Sequence, residues 1–203
     1  MYKRQALEST LISHGLPYPE NINVAKESIK AIENSLLKIS REKTIKVVIL
    51  SANGPVFSAG HDLKEMRANT NYKFIHELFL QCSRTMLQIT RLPQPVIAKV
   101  NGIATAAGCQ LVASCDLALS SNDATFATPG VNIGLFCSTP MVAVSRKISR
   151  KRMMKMLLTG EPVNARTAKE IGLINDFFSK RKLEHCQYLL SIYFIIIVKD
   201  NDL

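Results

Sequence analysis

Pro95-Val96-Ile97-Ala98-Lys99-Val100-Asn101-Gly102-Ile103-Ala104-Thr105-Ala106-Ala107-Gly108-Cys109-Gln110 is the stretch from which the fold is read. Its first part, Pro95–Val100, is a short apolar run with the character of a strand buried on both faces. Asn101-Gly102 is a turn pair. The small residues that follow predict a helix from about Ala104 to Ser114, and Asp116–Leu119 predicts the next strand. Upstream, Lys46–Ser51 is a β-branched run ended by Asn53-Gly54-Pro55. Between the two strands, residues 71–90 place Ile75, Leu78, Phe79, Cys82, Met86 and Ile89 on one helical stripe, and Pro93 and Pro95 stop it. Strand, helix, strand, helix, strand implies right-handed crossovers and an α/β fold with a mainly parallel sheet.

Outward from this centre, residues 1–23 read as irregular, and Asn23 suits the cap of a helix from about Val24 to Ile39. Pro140–Leu158 predicts one long helix. Asn164 starts a shorter one ending at Gly172. From Lys180 the character changes to a basic cluster followed by the apolar run Tyr188–Val198, which is too short to span a membrane. No secretory or transit signature is legible near Met1.

The 203 residues, 47% of them hydrophobic, suit a single core. A formal net charge of +10 favours polyanionic partners. The basic residues are spread out, densest in Arg146–Lys155 and Lys180–Lys182, and aromatics make up only 6%. With no zinc-finger spacing or stacking motif, nucleic-acid binding is the weaker reading and a solvated basic face the stronger. Five cysteines without a CxxC pair point to free thiols in a reducing compartment and to no metal site.

Two segments carry candidate chemistry. Phe57-Ser58-Ala59-Gly60-His61-Asp62-Leu63-Lys64 follows the first strand, and Thr105–Gln110 leads into a helix after the second. Both are built of small residues that let a ligand reach main-chain groups. Free N–H groups at a helix start carry partial positive charge. Two such loops on neighbouring strands can aim two N–H groups at one oxygen, which is the physical requirement for an oxyanion hole.

With these loops, the stretches Val47–Leu50, Pro95–Gly102, Ala107–Leu117, Phe126–Gly134 and Thr159–Ile174 resemble the crotonase (enoyl-CoA hydratase/isomerase) superfamily, and within it one mitochondrial subgroup. The resemblance implies a crotonase-like spiral of ββα units, as one domain over residues 1–178 with its core match at 45–178 and an atypical tail at 179–203. It also implies incomplete N-terminal strands, with Arg4-Gln5-Ala6-Leu7 as their remnant, and missing C-terminal helices. The backbone N–H groups of His61 and Ala107 would hold a thioester oxygen. Ala59, Asp62 and Leu63 would line the groove, and Lys64 would lie near coenzyme A phosphates. The implied ligand is an acyl-CoA, with no separate cofactor. The implied assembly is a homotrimer or hexamer weakened by the missing helices, and the implied location is mitochondrial.

The family's two hydratase glutamates fall on Gln110 and Gly130. An amide holds water but takes no proton, and glycine has no side chain. Among nearby groups, His61, Asp62, Cys137 and Ser138 are the candidate substitutes. The expectation is that the His61 ring faces solvent or ligand, that Cys137 is a packed thiol and that Asp116 is structural. The readings left open are an acyl-CoA lyase or isomerase with other chemistry, a non-catalytic acyl-CoA-binding protein, a nucleic-acid binder and an inactive truncated product.

Overall fold

The computed structural model describes residues 32–185. In chain order these form helix α1 (32–41), strands β1 (Val48–Ser51) and β2 (Val56–Ser58), and helices α2 (Leu63–Ala68) and α3 (Tyr72–Thr90). Next come β3 (Val96–Val100), β4 (Ile103–Thr105), α4 (Ala107–Ser114), β5 (Leu117–Ser121), β6 (Thr125–Ala127) and a 3-10 turn (Pro129–Ile133). Helices α5 (Ser138–Val144) and α6 (Arg150–Thr159) follow, then β7 (Val163–Asn164), α7 (Ala165–Glu170), β8 (Asp176–Phe178) and α8 (180–185). None of these helices is long and apolar enough to cross a membrane.

The strand read from Pro95–Val100 lies at the centre. Ala98 and Val100 are fully buried, and β3 pairs in parallel with β1 on one side and β5 on the other. Parallel pairing with β8 completes a sheet of order β1-β3-β5-β8. The second sheet has order β2-β4-β6-β7 and is parallel except for β6 with β7. Each of the first three strand pairs sends one strand to each sheet and is followed by helix, which is the ββα spiral the resemblance implied.

Polar side chains fix how the strands enter the sheet. The Asp116 carboxylate accepts from the Val96 N–H at 2.8 Å, and the Asn175 side-chain oxygen accepts from the Ala118 N–H at 2.7 Å. Asp116 is therefore structural, as expected. Helix α3 begins on Asn71, whose side chain accepts from the Lys73 N–H, and α7 begins on Asn164, whose side chain accepts from the Thr167 N–H. Gly172 has φ +85°, the left-handed conformation that stops a helix.

Three expectations change. The helix expected from Ala104 starts at Ala107, because residues 103–105 form a strand held by β2 on one side and β6 on the other. Sheet pairing there outweighs the helix preference of small residues. The single helix expected over Pro140–Leu158 is two, because Ser149 adopts extended backbone (φ −63°, ψ 150°) and restarts the chain as α6. The helix expected to end at Ile39 runs on to residue 41. The readings for residues 1–31, including the N-terminal strands, and for the apolar run Tyr188–Val198 lie outside the described residues.

Phe126 sits on β6 at 0% exposure within the main core. Phe126→Ala is expected to cost about 3–5 kcal/mol of stability, read as a lower urea midpoint with the slope unchanged.

Candidate functional site

Strands β2 and β4 are parallel neighbours, so the segments leaving their C-terminal ends emerge side by side. Two glycines set how close those segments come. A Cβ on Gly108 would lie 2.1 Å from the carbonyl oxygen of Ser58, so α4 can seat against β2 only without a side chain there. Gly60 has φ +89°, and a Cβ on it would lie 3.1 Å from the Ala107 nitrogen. The Thr105 hydroxyl donates to the Ala59 carbonyl at 3.2 Å and ties the segments together. Ala106 has φ +50°, a strained value for a residue with a Cβ. Its N–H donates to the Ala127 carbonyl at 3.0 Å, which holds this turn on β6.

This turn makes Ala107 the first residue of α4, where an N–H has no partner within the helix. Neither the Ala107 N–H nor the His61 N–H has an acceptor among the described residues. The two loops are thus in backbone contact, and each carries an N–H without an acceptor among the described residues. Ala59, Leu63 and Lys64 are exposed at the rim.

Side chains near these groups have definite duties. The Asp62 carboxylate caps α2, accepting from the N–H groups of Lys64 at 2.8 Å and Glu65 at 3.3 Å. The His61 ring packs on Phe79 of α3, with centroids 5.1 Å apart and planes at 57°. Of the two expected surroundings, solvent or ligand, this contact leaves the ring half-buried beside α3. Burial disfavours its cation and lowers its pKa below the ordinary 6.5.

The two positions that the resemblance assigns to the family's glutamates differ in character. Gln110 is 6% exposed, and its side-chain carbonyl has no partner among the described residues. Gly130 does not leave a vacancy. A Cβ there would lie 2.7 Å from the Leu135 carbonyl oxygen and 2.9 Å from the Cys137 sulfur. Cys137 is a packed thiol, accepting from the Gly130 N–H at 3.3 Å. Burial pushes the Cys109 thiol up to about 12, so no thiolate forms on α4 near neutral pH. Ser138 is exposed at the start of α5. The arrangement sets two N–H groups without acceptors on touching loops, and a neutral amide at a position that the resemblance assigns to a carboxylate.

Residue-by-residue reading missed Thr105, Phe79 and Thr128. Thr105 stood inside the quoted loop, but its bond to Ala59 spans two strands. Phe79 was read only as part of a helical stripe. Thr128 is fully buried with its hydroxyl unpartnered among the described residues, beside the residue that holds Ala106, and nothing in its sequence context marks it.

The sequence profile of the enoyl-CoA hydratase/isomerase family matches residues 8–191, so it extends past both ends of the stretch 45–178. Human enoyl-CoA hydratase domain-containing protein 3, mitochondrial, is 49% identical over 156 residues, covering 77% of this chain and 52% of that protein. Its Danio rerio counterpart is 50% identical, covering 78% and 55%. This chain therefore spans about half the length of the curated relatives it matches. A crystal structure of enoyl-CoA hydratase from Mycobacterium smegmatis superposes with a TM-score of 0.81 at 46% identity, covering 84% of this chain and 66% of that one. The crystal structure of the human domain-containing protein 3 gives 0.80 at 46% identity, covering 83% and 66%.

Gly108→Ala is expected to destabilise the fold by about 1–3 kcal/mol, because backbone must move to admit the methyl; a calorimetric melt checks it. Gly130→Glu is expected to lower the melting temperature as well, since its side chain meets backbone and sulfur. For His61, the unfolded chain takes up a proton at a higher pH than the folded one. The stability that His61 contributes is complete above about 6.5 and is lost as pH falls through the lowered folded value. His61→Gln should flatten that acid limb, measured by urea unfolding at a series of pH values from 7.5 down to 5.

Proposed function

Since the chain belongs to the enoyl-CoA hydratase/isomerase family, we propose that it binds an acyl-CoA thioester across the loops after β2 and β4 and polarises the thioester carbonyl. The observation that carries this is the backbone contact of Gly60 with Ala107, which brings together two segments whose His61 and Ala107 N–H groups have no other acceptor. Ala59, Asp62 and Leu63 line the acyl and coenzyme A groove, and Lys64, exposed at the rim, meets the phosphates as a point charge. The thioester is itself the ligand, and the reading requires no further cofactor. The names of the relatives support a mitochondrial setting, and a role in lipid metabolism and the homotrimer or hexamer implied by family resemblance are part of the same proposal.

Polarisation makes the α-carbon acidic or the β-carbon electrophilic, and a donor lost from such a hole costs about 3–4 kcal/mol in the transition state. Proton transfer is another matter. Gln110 orders a water or hydroxyl without accepting its proton. Gly130 contributes nothing, and the Asp62 carboxylate is engaged in capping α2. Hydration by a pair of glutamates is therefore not the reaction of this site. What it supports is thioester binding, with any lyase or isomerase turnover running through a different acid–base route. A non-catalytic acyl-CoA-binding role is the second reading, and the neutral Gln110 favours it.

Titration calorimetry with a series of acyl- and enoyl-CoA thioesters is expected to show saturable binding. Infrared difference spectra with a carbonyl-labelled thioester should show the C=O stretch moved to lower frequency on binding. No binding by the folded protein overturns both readings. Binding without the shift removes the oxyanion role.

A further inference from the structure

From Ala124 to Gly160 the chain has no Asp or Glu, yet it carries six cations: Arg146, Lys147, Arg150, Lys151, Arg152 and Lys155. More than half of the net charge of +10 is thus concentrated here. All six are exposed, and none forms an ion pair among the described residues. Lys147 alone is occupied, donating to the Cys115 carbonyl at 3.3 Å.

Helix α6 organises the rest. Its buried side is Met153, Met156 and Leu157. Lys151, Lys155 and Leu158 follow at i, i+4 and i+7, so they share the opposite, exposed side, flanked by Arg150 and Arg152. Leu158 is 60% exposed. The first turn of α6 is wholly basic, with no acidic residue and no side-chain cap. Cations at a helix N-terminus oppose the helix dipole, so nothing in the helix itself favours them there. Near the other end, Gly160 abuts Asn132 of the 3-10 turn. The chain just beyond that turn exposes Leu135 and Phe136 by 53% and 44%.

We propose that the exposed side of α6 is a docking surface for an anionic phospholipid bilayer, with Arg150, Lys151, Arg152 and Lys155 meeting headgroup phosphates. Apolar Leu158 lies in line with the lysines and Leu135 and Phe136 lie beyond the adjoining turn, which suits an interface that is charged at the surface and apolar just below it. A single-stranded nucleic acid fits less well, because α6 carries no aromatic side chain for base stacking. The inference stands independently of the thioester reading.

The full chain is mixed with vesicles of phosphatidylglycerol and phosphatidylcholine, and with vesicles of phosphatidylcholine alone, and bound protein is measured by sedimentation at rising salt. Binding is expected only to the acidic vesicles and should weaken as salt rises. Lys151→Gln with Lys155→Gln should reduce partitioning by roughly 30-fold at about 1 kcal/mol per charge, with the thermal melt unchanged. Leu158→Ser should reduce it without altering the salt dependence. Lys43→Gln with Lys46→Gln, exposed lysines elsewhere, should have much less effect. No binding to acidic vesicles, or an equal loss in the two lysine pairs, overturns the proposal. So does tighter binding to a single-stranded RNA oligonucleotide that depends on Lys151 and Lys155.

Discussion

The seating of α4 against β2 is the constraint on which the rest of the structure depends. Gly108 lets the helix approach to where a methyl would overlap the Ser58 carbonyl oxygen, and Gly60 lets the neighbouring loop reach the Ala107 nitrogen. With these two contacts the end of one strand and the start of one helix become a single surface. If either widened, the segments would still fold as strand and helix, but their N–H groups would no longer belong to one place. The strain at Ala106 is the local cost, held by the bond to Ala127 and by pairing with β6. A backbone conformation that costs free energy survives where neighbouring elements over-determine it, and here three parallel strands do so.

Much of this was legible in the amino-acid order. The apolar run at 95–100, the Asn-Gly turn, the helical stripe of α3 and the helix start at Asn164 are local signals, and each appears in the structure at or within a residue or two of its expected place. The second sheet was not legible residue by residue, because its strands have only two or three residues each. Alternation over so short a run carries no period, and what makes residues 103–105 a strand is their two partners. Only family resemblance foresaw the ββα spiral. The division of the helix at Ser149 had a faint signal in that residue's capping preference, outweighed in the sequence reading by the helix-compatible residues on both sides.

The candidate site was legible in part for the same reason. Its loops are runs of small residues that can be quoted from the sequence, and Gln110 and Gly130, at the positions the resemblance assigns to the glutamates, are read as directly. Long-range facts were out of reach: that Thr105 bonds Ala59 and that the His61 ring packs on Phe79. Each depends on a contact between elements, and a single sequence records those only indirectly.

Gly130 bears on how the site could be remade. The volume a side chain would take there is occupied by the Leu135 carbonyl and the Cys137 sulfur. A carboxylate therefore does not enter at this position by exchange of one residue alone. The loop at 135–137 would have to give way at the same time, so redesign here is a problem of backbone remodelling before it is one of side-chain choice.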